Sequence, residues 1–441
     1  MSWQLQYRLR QVLLHSFWLT PALCILAGIL LSILTRWLDN QLQIPFFRFT
    51  PEGARNLLSS LSGSLLTFLV FVVSSMLLIV QMASGQLTPR IIAMAFSARV
   101  VQRTLGYFVF NYTYCLSILA RIDDSVPQFS AGLGVLCTLI SIVMLFWFAQ
   151  QLGGSLRPVS ILHRIAEATR EVASQVYPEK FIADISKRRN WRDEVQGLDS
   201  RVVLYQSGSG VLLAIDTERL KEAAVKANCV LELIPQVGDF LPKDEPLFRI
   251  YPASATIPED ELQESVIVGS ERTLELDPMF GFRIIVDIAA RALSPAINDP
   301  TTAVMAIDQL HRLLRYMGER RLSDGTIHDS KNNLRIAFPT PNWEDFTSMA
   351  CTEIRMFGIS SIQVPRRLRA MLEHLLDVMP EARKAALQEE LFLLKQATQE
   401  AYPDAVNRMR AETPDRQGLG GTPAARNAGT TEVTPEVNSA P

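Results

Sequence analysis

The stretch RNLLSSLSGSLLTFLVFVVSSMLLIVQMASGQLTPR, Arg55 to Arg90, has no charged residue between its two terminal arginines. A hydrocarbon core about 30 Å thick is crossed by about 20 residues of helix, so this run spans a membrane with residues to spare. Outward from it, Asp124 to Arg157 is again free of charge between its ends, and Phe17 to Leu34 is apolar for about the minimum spanning length. Trp18 and Trp37 stand near the ends of that first run, where amphipathic rings favour the membrane interface. The run from Arg103 to Arg121 is barely long enough and holds Asn111, Tyr112, Thr113 and Tyr114 at its middle, so it either crosses or re-enters. Crossing is expected, which gives spans of about 17–37, 58–82, 103–121 and 130–153 within a transmembrane domain over residues 1–156.

Four crossings make the arginine distribution consistent. Arg8 and Arg10, then Arg90, Arg99 and Arg103, then Arg157, Arg164 and Arg170 fall on one side. The other two loops hold Arg48, Arg55 and Arg121, diluted by Asp39, Glu52, Asp123 and Asp124. The positive-inside rule places both termini in the cytoplasm. The first apolar stretch runs into TRWLDNQL with no small-residue cleavage pattern, and is expected to stay attached as an anchor.

The chain has 441 residues, room for a membrane bundle and one or two water-facing domains. A net charge of −2 gives no basic face for nucleic acid. Cys24, Cys115 and Cys137 fall in expected spans, Cys229 and Cys351 lie far apart, and no spacing supports a disulfide framework or a zinc site. His15, His163, His311, His328 and His374 lack metal-ligand spacing and read as surface or satisfied core residues. There is no P-loop, no GxGxxG after a strand, no GxSxG and no HExxH, so neither an enzyme nor a cofactor is expected.

Beyond the spans, Ile161, Ile165, Ala168, Val172 and Val176 recur at helical spacing, giving a connecting helix in the segment 157–199. RVVLYQ, SGSG at Ser207 to Gly210 and VLLAID read as a β-hairpin. Asp216 or Thr217 caps a following helix, and CVLELIPQ reads as a strand. VGDFLPKDEPLFRIYP is a tight turn between short strands; over about fifty residues this region resembles half of a biotinyl/lipoyl-type barrel-sandwich domain. The modified-lysine motif of those carriers is absent, so carrier function is not implied. A small β-containing domain is thus expected over 200–268 and a mainly helical domain over 269–411. In the latter, Asp277 before Pro278 and Asp299 before Pro300 write two helix starts, Asn342 writes a third, and LRIAF at Leu334 to Phe338 is a short strand. Residues 412–441 are poor in apolar side chains and read as a disordered tail.

Two clusters could carry function. Arg283, Asp287 and Arg291 fall at i, i+4 and i+8 with alternating sign, near Glu271, Arg272, Glu275, Asp277, Asn298 and Asp299. They form either an anion site or a salt-bridge ladder. In the second span, Ser60, Ser64, Thr67, Phe71, Ser74, Leu78 and Gln81 make one stripe at helical spacing. Hydrocarbon cannot satisfy its polar groups, so the stripe either packs on helices or lines a pore with Phe71 or Leu78 as constriction. No acidic or basic residue lies in the middle of a span, which argues against a proton-coupled pump or a voltage sensor.

The runs ERTLELDPMFGFR and DIAARALSPAINDPTTA, with LLIVQMASGQLTPRII at the exit of the second span, resemble the bacterial predicted-membrane-protein family catalogued as domain of unknown function 2254. The resemblance covers nearly the whole chain up to the tail. It implies an integral inner-membrane protein and brings no catalytic residues with it. The expected architecture is a membrane α-helical bundle followed by a cytoplasmic α+β region with a β-rich part and a helical part. The expected role is an oligomeric channel-like or sensor protein whose partners are the bilayer and copies of itself; the alternative is a membrane-anchored interaction scaffold. The sequence names no ligand.

Overall fold

A computed structural model describes residues 19–42, 49–86, 99–122, 126–155, 157–182 and 191–419. Arg8, Arg10, Arg48, Arg90, Asp123, Asp124, the start of the first span and residues 420–441 lie outside them. So does Leu87–Ile92, the end of the LLIVQMASGQLTPRII motif. Among the described residues four helices come first: α1 (Leu19–Leu42), α2 (Pro51–Gln86), α3 (Arg99–Leu119) and α4 (Gln128–Ser155). Three of them are long and apolar enough to cross a membrane, over Leu19–Gln41, Pro51–Leu78 and Gln128–Gln151. α3 does not reach that hydropathy, so the four expected spans become three apolar helices and a more polar fourth.

The polar residues of α3 point inward, because α3 packs against α1, α2 and α4. Buried Asn111 donates to Thr138 Oγ1 at 3.3 Å and Ser141 Oγ at 3.0 Å, both on α4. The buried hydroxyl of Tyr114 bonds Thr35 Oγ1 of α1 at 3.2 Å and the Ser130 carbonyl at 3.1 Å. A Cβ added at Gly28 would lie 2.7 Å from the Phe110 carbonyl oxygen, so α1 and α3 approach as closely as only a glycine allows. At the start of α4, Asp39 accepts from the backbone N–H groups of Phe129 at 2.8 Å and Ser130 at 2.9 Å, a carboxylate set on a helix N-terminus. Gln128 exchanges two bonds with the backbone of Phe49, and Arg55 donates to the Ile122 carbonyl at 2.7 Å.

Next come α5 (Pro158–Val176) and the short α6 (Trp191–Glu194). The β part contains β1 (Arg201–Leu204), β2 (Gly210–Ile215), α7 (Thr217–Lys226), β3 (Val230–Leu233), β4 (Phe240–Leu241), β5 (Pro246–Tyr251), α8 (Glu259–Glu264) and β6 (Val266–Gly269). The helical part has α9 (Pro278–Ala292), α10 (Pro300–Gly318), β7 (Thr326–His328), β8 (Leu334–Ala337), α11 (Trp343–Gly358), α12 (Gln363–Val378), α13 (Glu381–Ala401) and α14 (Ala405–Glu412).

The expected hairpin across Ser207 to Gly210 does not form. β1 pairs antiparallel with β5, whereas β2 pairs with β4 and β6 in a second sheet. The chain changes sheets at each step from β1 to β7, among them the crossings between β1 and β2 and between β4 and β5. These two crossings bond each other: Tyr205 N donates to the Glu245 carbonyl at 2.8 Å and Asp244 N to the Tyr205 carbonyl at 2.7 Å. Both sheets close over one core holding Val203, Leu212, Leu231, Phe248 and Val266, and burying both inner faces together is what a local hairpin would have prevented. β8 pairs in parallel with β3, Leu231 opposite Ile336, and completes the five-stranded order β1-β5-β3-β8-β7. Strands from beyond residue 269 therefore belong to the β part, because a parallel pair needs a long crossover and α9 and α10 supply it.

α5 is no free connector either. Its Ile161, Leu162, Ile165, Ala166 and Ala173 bury in the core of the helical part with Phe282, Ile285, Leu310, Trp343 and Phe346. A Cβ built on Gly281 of α9 would fall 2.0 Å from Thr169 Oγ1 of α5. The end of the helical part also moves. Asp415 is buried, its N–H donates to the Arg366 carbonyl at 3.1 Å, and its carboxylate accepts from the N–H groups of Gln417 and Gly418 at 3.0 Å each. Residues 413–419 thus form a strap on the helices, for which main-chain hydrogen bonds substitute for the apolar residues their composition lacks.

Candidate functional site

The seven stripe residues of α2 share one face, and it is the face turned away from the chain's own bundle. Ser60, Ser64, Thr67, Ser74 and Gln81 are exposed, as are Phe71 at 50% and Leu78 at 57%, while Ala54, Leu58, Leu65 and Val72 bury on the opposite side. A single chain therefore offers hydroxyls and an amide outward, between apolar residues suited to lipid. Two hydroxyls are satisfied within the helix: Ser64 donates to the Ser60 carbonyl at 3.0 Å and Thr67 to the Gly63 carbonyl at 3.1 Å. Gly63 has no heavy atom within 4 Å of where a Cβ would sit, so the same face is open to close approach by another helix.

The charged motif separates into two arrangements. Asp277 caps α9, accepting from Phe280 N at 3.1 Å, and its other oxygen accepts a hydrogen bond from Arg272 Nε at 2.5 Å. Arg272 lies over the Phe280 ring, 5.6 Å from its centroid, and fills the space beside Gly238 in the β part. Arg283 holds Asp287 on its own helix and Glu353 on α11. The Glu353 partnership raises the guanidinium's proton affinity further, and Arg283 in turn draws the Glu353 carboxyl below its ordinary range. Both guanidinium groups are thereby committed to carboxylates of the chain. Arg291 sits in the last turn of α9, Glu271 and Asn298 are exposed, and Glu275 is half-buried. Asn298 takes a left-handed φ of +49° just before Asp299, which caps α10 by accepting from Thr302 N at 3.1 Å. These residues serve helix starts and helix contacts rather than converging on one point.

A third cluster had no clear signature in the sequence. On α10 and α12, His311 Nε2 lies 2.8 Å from His374 Nδ1, with the rings edge to face. Arg367 reaches both Asp308 Oδ1 at 2.6 Å and His311 Nδ1 at 3.1 Å. Burial, and then the neighbouring Arg367, push the His311 pKa down to about 4. The separations of Asp308 from His311 and of Arg367 from His374 each suit one helix face, yet nothing in the sequence says that the two faces meet.

No solved structure matches this chain. Uncharacterized proteins of Mycobacterium bovis and Mycobacterium tuberculosis are 28% identical to it over 378 residues, covering 82% of this chain and 71% of each relative. The family model described as "Predicted membrane protein (DUF2254)" matches residues 14–374, which takes in all four N-terminal helices, the β part and the helical part into α12. With three apolar helices of spanning length and a mixed α/β region behind them, the chain belongs to this family of predicted membrane proteins of unknown function.

Proposed function

We propose that this protein crosses the bacterial inner membrane four times, keeps both termini in the cytoplasm and associates with copies of itself through the outward face of α2. In that assembly it acts as a conduit, or as a sensor gated by its α+β region. The observation that carries the reading is the outward position of the Ser60 to Gln81 stripe. Polar groups on the outside of a membrane bundle gain when another helix, or water enclosed by helices, covers them. Crossing by α3 is supported by its 21 residues, roughly 30 Å of helix, and by its polar side chains facing α1 and α4 instead of lipid. The docking of α5 supports transmission, since α5 follows α4 in the chain and buries its apolar face in the core of the helical part.

The back-bonded hydroxyls of Ser64 and Thr67 favour a second reading, in which the bundle only anchors an interaction scaffold. Ion flux in liposomes separates the two. Changing Ser64, Thr67 and Ser74 together to leucine alters flux in a conduit; a wild-type chain that inserts, oligomerises and passes no ion is a scaffold or a sensor without a pore.

A further inference from the structure

The bonds around His311 admit a single pattern of protons. A guanidinium only donates, so the 3.1 Å contact from Arg367 fixes His311 Nδ1 as an acceptor. Neutral His311 then carries its proton on Nε2 and donates it to His374 Nδ1 at 2.8 Å, leaving the His374 proton on Nε2. A further proton on His311 Nδ1 would face the Arg367 N–H, and one on His374 Nδ1 would face the His311 N–H. Either one breaks a bond and brings a cation beside Arg367, whose carboxylate partner is Asp308.

The strap rests on the same two helices. Arg366 Nε donates to the Thr413 carbonyl at 3.1 Å and the Arg366 carbonyl accepts from Asp415 N at 3.1 Å, both on α12. A Cβ on Gly418 would lie 2.8 Å from Val304 Cγ1 of α10 and 3.9 Å from Arg367 Cδ of α12. Gly418 itself needs its φ of +71° to turn there. The strap therefore bridges α10 and α12, and the histidine pair couples those helices beside it.

We propose that the His311–His374 contact is a proton-operated latch: neutral, it keeps α10 and α12 in register beneath residues 413–419, and protonation frees the strap. The depressed proton affinity of His311 agrees with a neutral latched state, because a released histidine returns to an ordinary pKa near 6.5. Release is thus favoured as pH falls from about 6.5 towards 4. Another charge acting on the pair is Arg315 on α10, and Asp415 of the strap bonds the backbone of Arg366 on α12. α5 meets α10 through His163 and Glu167, both on Arg312. α9 and α11 contribute Arg283, Asp287 and Glu353, paired with one another, and Arg355 of α11 faces Glu390 of α13. α14, which packs against α12, carries Arg408, Arg410 and Glu412.

Hydrogen exchange of the full-length protein in detergent, corrected for the intrinsic rate at each pH, tests the latch. Protection of the Asp415, Gln417 and Gly418 amides should fall by about tenfold per pH unit between pH 6.5 and 4.5 while α11 and α13 stay protected, the slope of one bound proton. His311→Asn, whose side-chain oxygen still accepts from Arg367, should flatten that slope whatever its baseline; His311→Gln serves if the first variant does not fold. A His163→Asn control keeps the wild-type slope. A strap equally protected from pH 6.5 to 4.5 in the wild-type chain, or a slope that persists in a folded His311 variant, overturns the proposal.

Discussion

Arg283 on α9 and Glu353 on α11 form a forked ion pair, Nη2 donating to Oε2 at 2.8 Å and Nη1 to Oε1, while the same guanidinium holds Asp287 one turn along its own helix. A planar fork of donors meets two carboxylates at once, which an ammonium does not. Arg283→Ala is expected to lower stability by about 1–3 kcal/mol, measured by thermal unfolding of the solubilised chain. Arg283→Lys should recover less than half of that. Glu353 is over a third exposed, so Glu353→Gln should cost less than about 1 kcal/mol. Asp287→Arg is the harshest change, because three cations would then line one face of α9. Equal unfolding midpoints for all four variants would leave the pair without structural weight.

The pH dependence of stability draws on groups with lowered folded-state pKa values, His311, Glu353 and Asp329 among them. His311 has one of about 4 against about 6.5 unfolded, so its contribution is complete above about pH 6.5 and is lost as pH falls towards 4. Glu353 is lowered by Arg283, and Asp329 by the Asn333 N–H groups and Arg335; their contributions hold above the ordinary carboxylate range and are lost below about pH 4. Unfolding midpoints should stay level above pH 6.5, decline to pH 4 and then decline again. Arg283→Ala should soften the second decline and leave the first in place; a single decline starting only below pH 4 contradicts the assignment to His311.

The contact between Gly281 and Thr169 decides whether α5 is part of the helical body. Gly281→Ala places a methyl group where Thr169 Oγ1 now sits, 2.0 Å from the new Cβ, and should cost about 1–3 kcal/mol in thermal unfolding. Thr169→Ala in the same chain removes the two nearest atoms, Oγ1 and Cγ2, and should restore part of the loss. Additive effects of the two changes would mean that α5 and α9 are not in contact.

Legibility followed the range of each interaction. The helix starts at Asp277–Pro278, Asp299–Pro300 and Asn342 were readable because a cap is settled within four residues, and Asn342 with Asp345 forms a full capping box. The long apolar runs were readable for the same reason. The hairpin at Ser207 to Gly210 was misread because nothing local states that β1 prefers a strand some 45 residues on, Arg201 pairing with Ile250. Helical spacing put Arg283 and Asp287 on one face, but their third partner Glu353 lies on another helix and carried no signal. The polar middle of α3 reads as a weak span in the sequence because its partners, α4 for Asn111 and α1 for Tyr114, are distant in the chain.

Two truncations near the C-terminus offer a direct comparison. A stop after Glu412 removes the Thr413, Asp415 and Gly418 contacts to Arg366, Val304 and Arg367, and should lower the unfolding midpoint by several degrees. A stop after Leu419 retains them and should match the full chain. Indistinguishable midpoints for the two would mean that the strap adds nothing to the helical part.

Self-association through the outward face of α2 is the claim on which the functional account turns, and cysteine crosslinking in native membranes tests it most directly. Cys24 is the one half-exposed native cysteine among the described residues, the other four being buried, so the background chain carries Cys24→Ser. Ser64→Cys and Ser74→Cys, on the exposed stripe, are expected to yield crosslinked dimers on mild oxidation, whereas Leu65→Cys and Val72→Cys, on the buried face, are expected to stay monomeric. Stripe cysteines that remain monomeric, in chains shown to be inserted and folded, would contradict the assembly and leave α2 facing lipid.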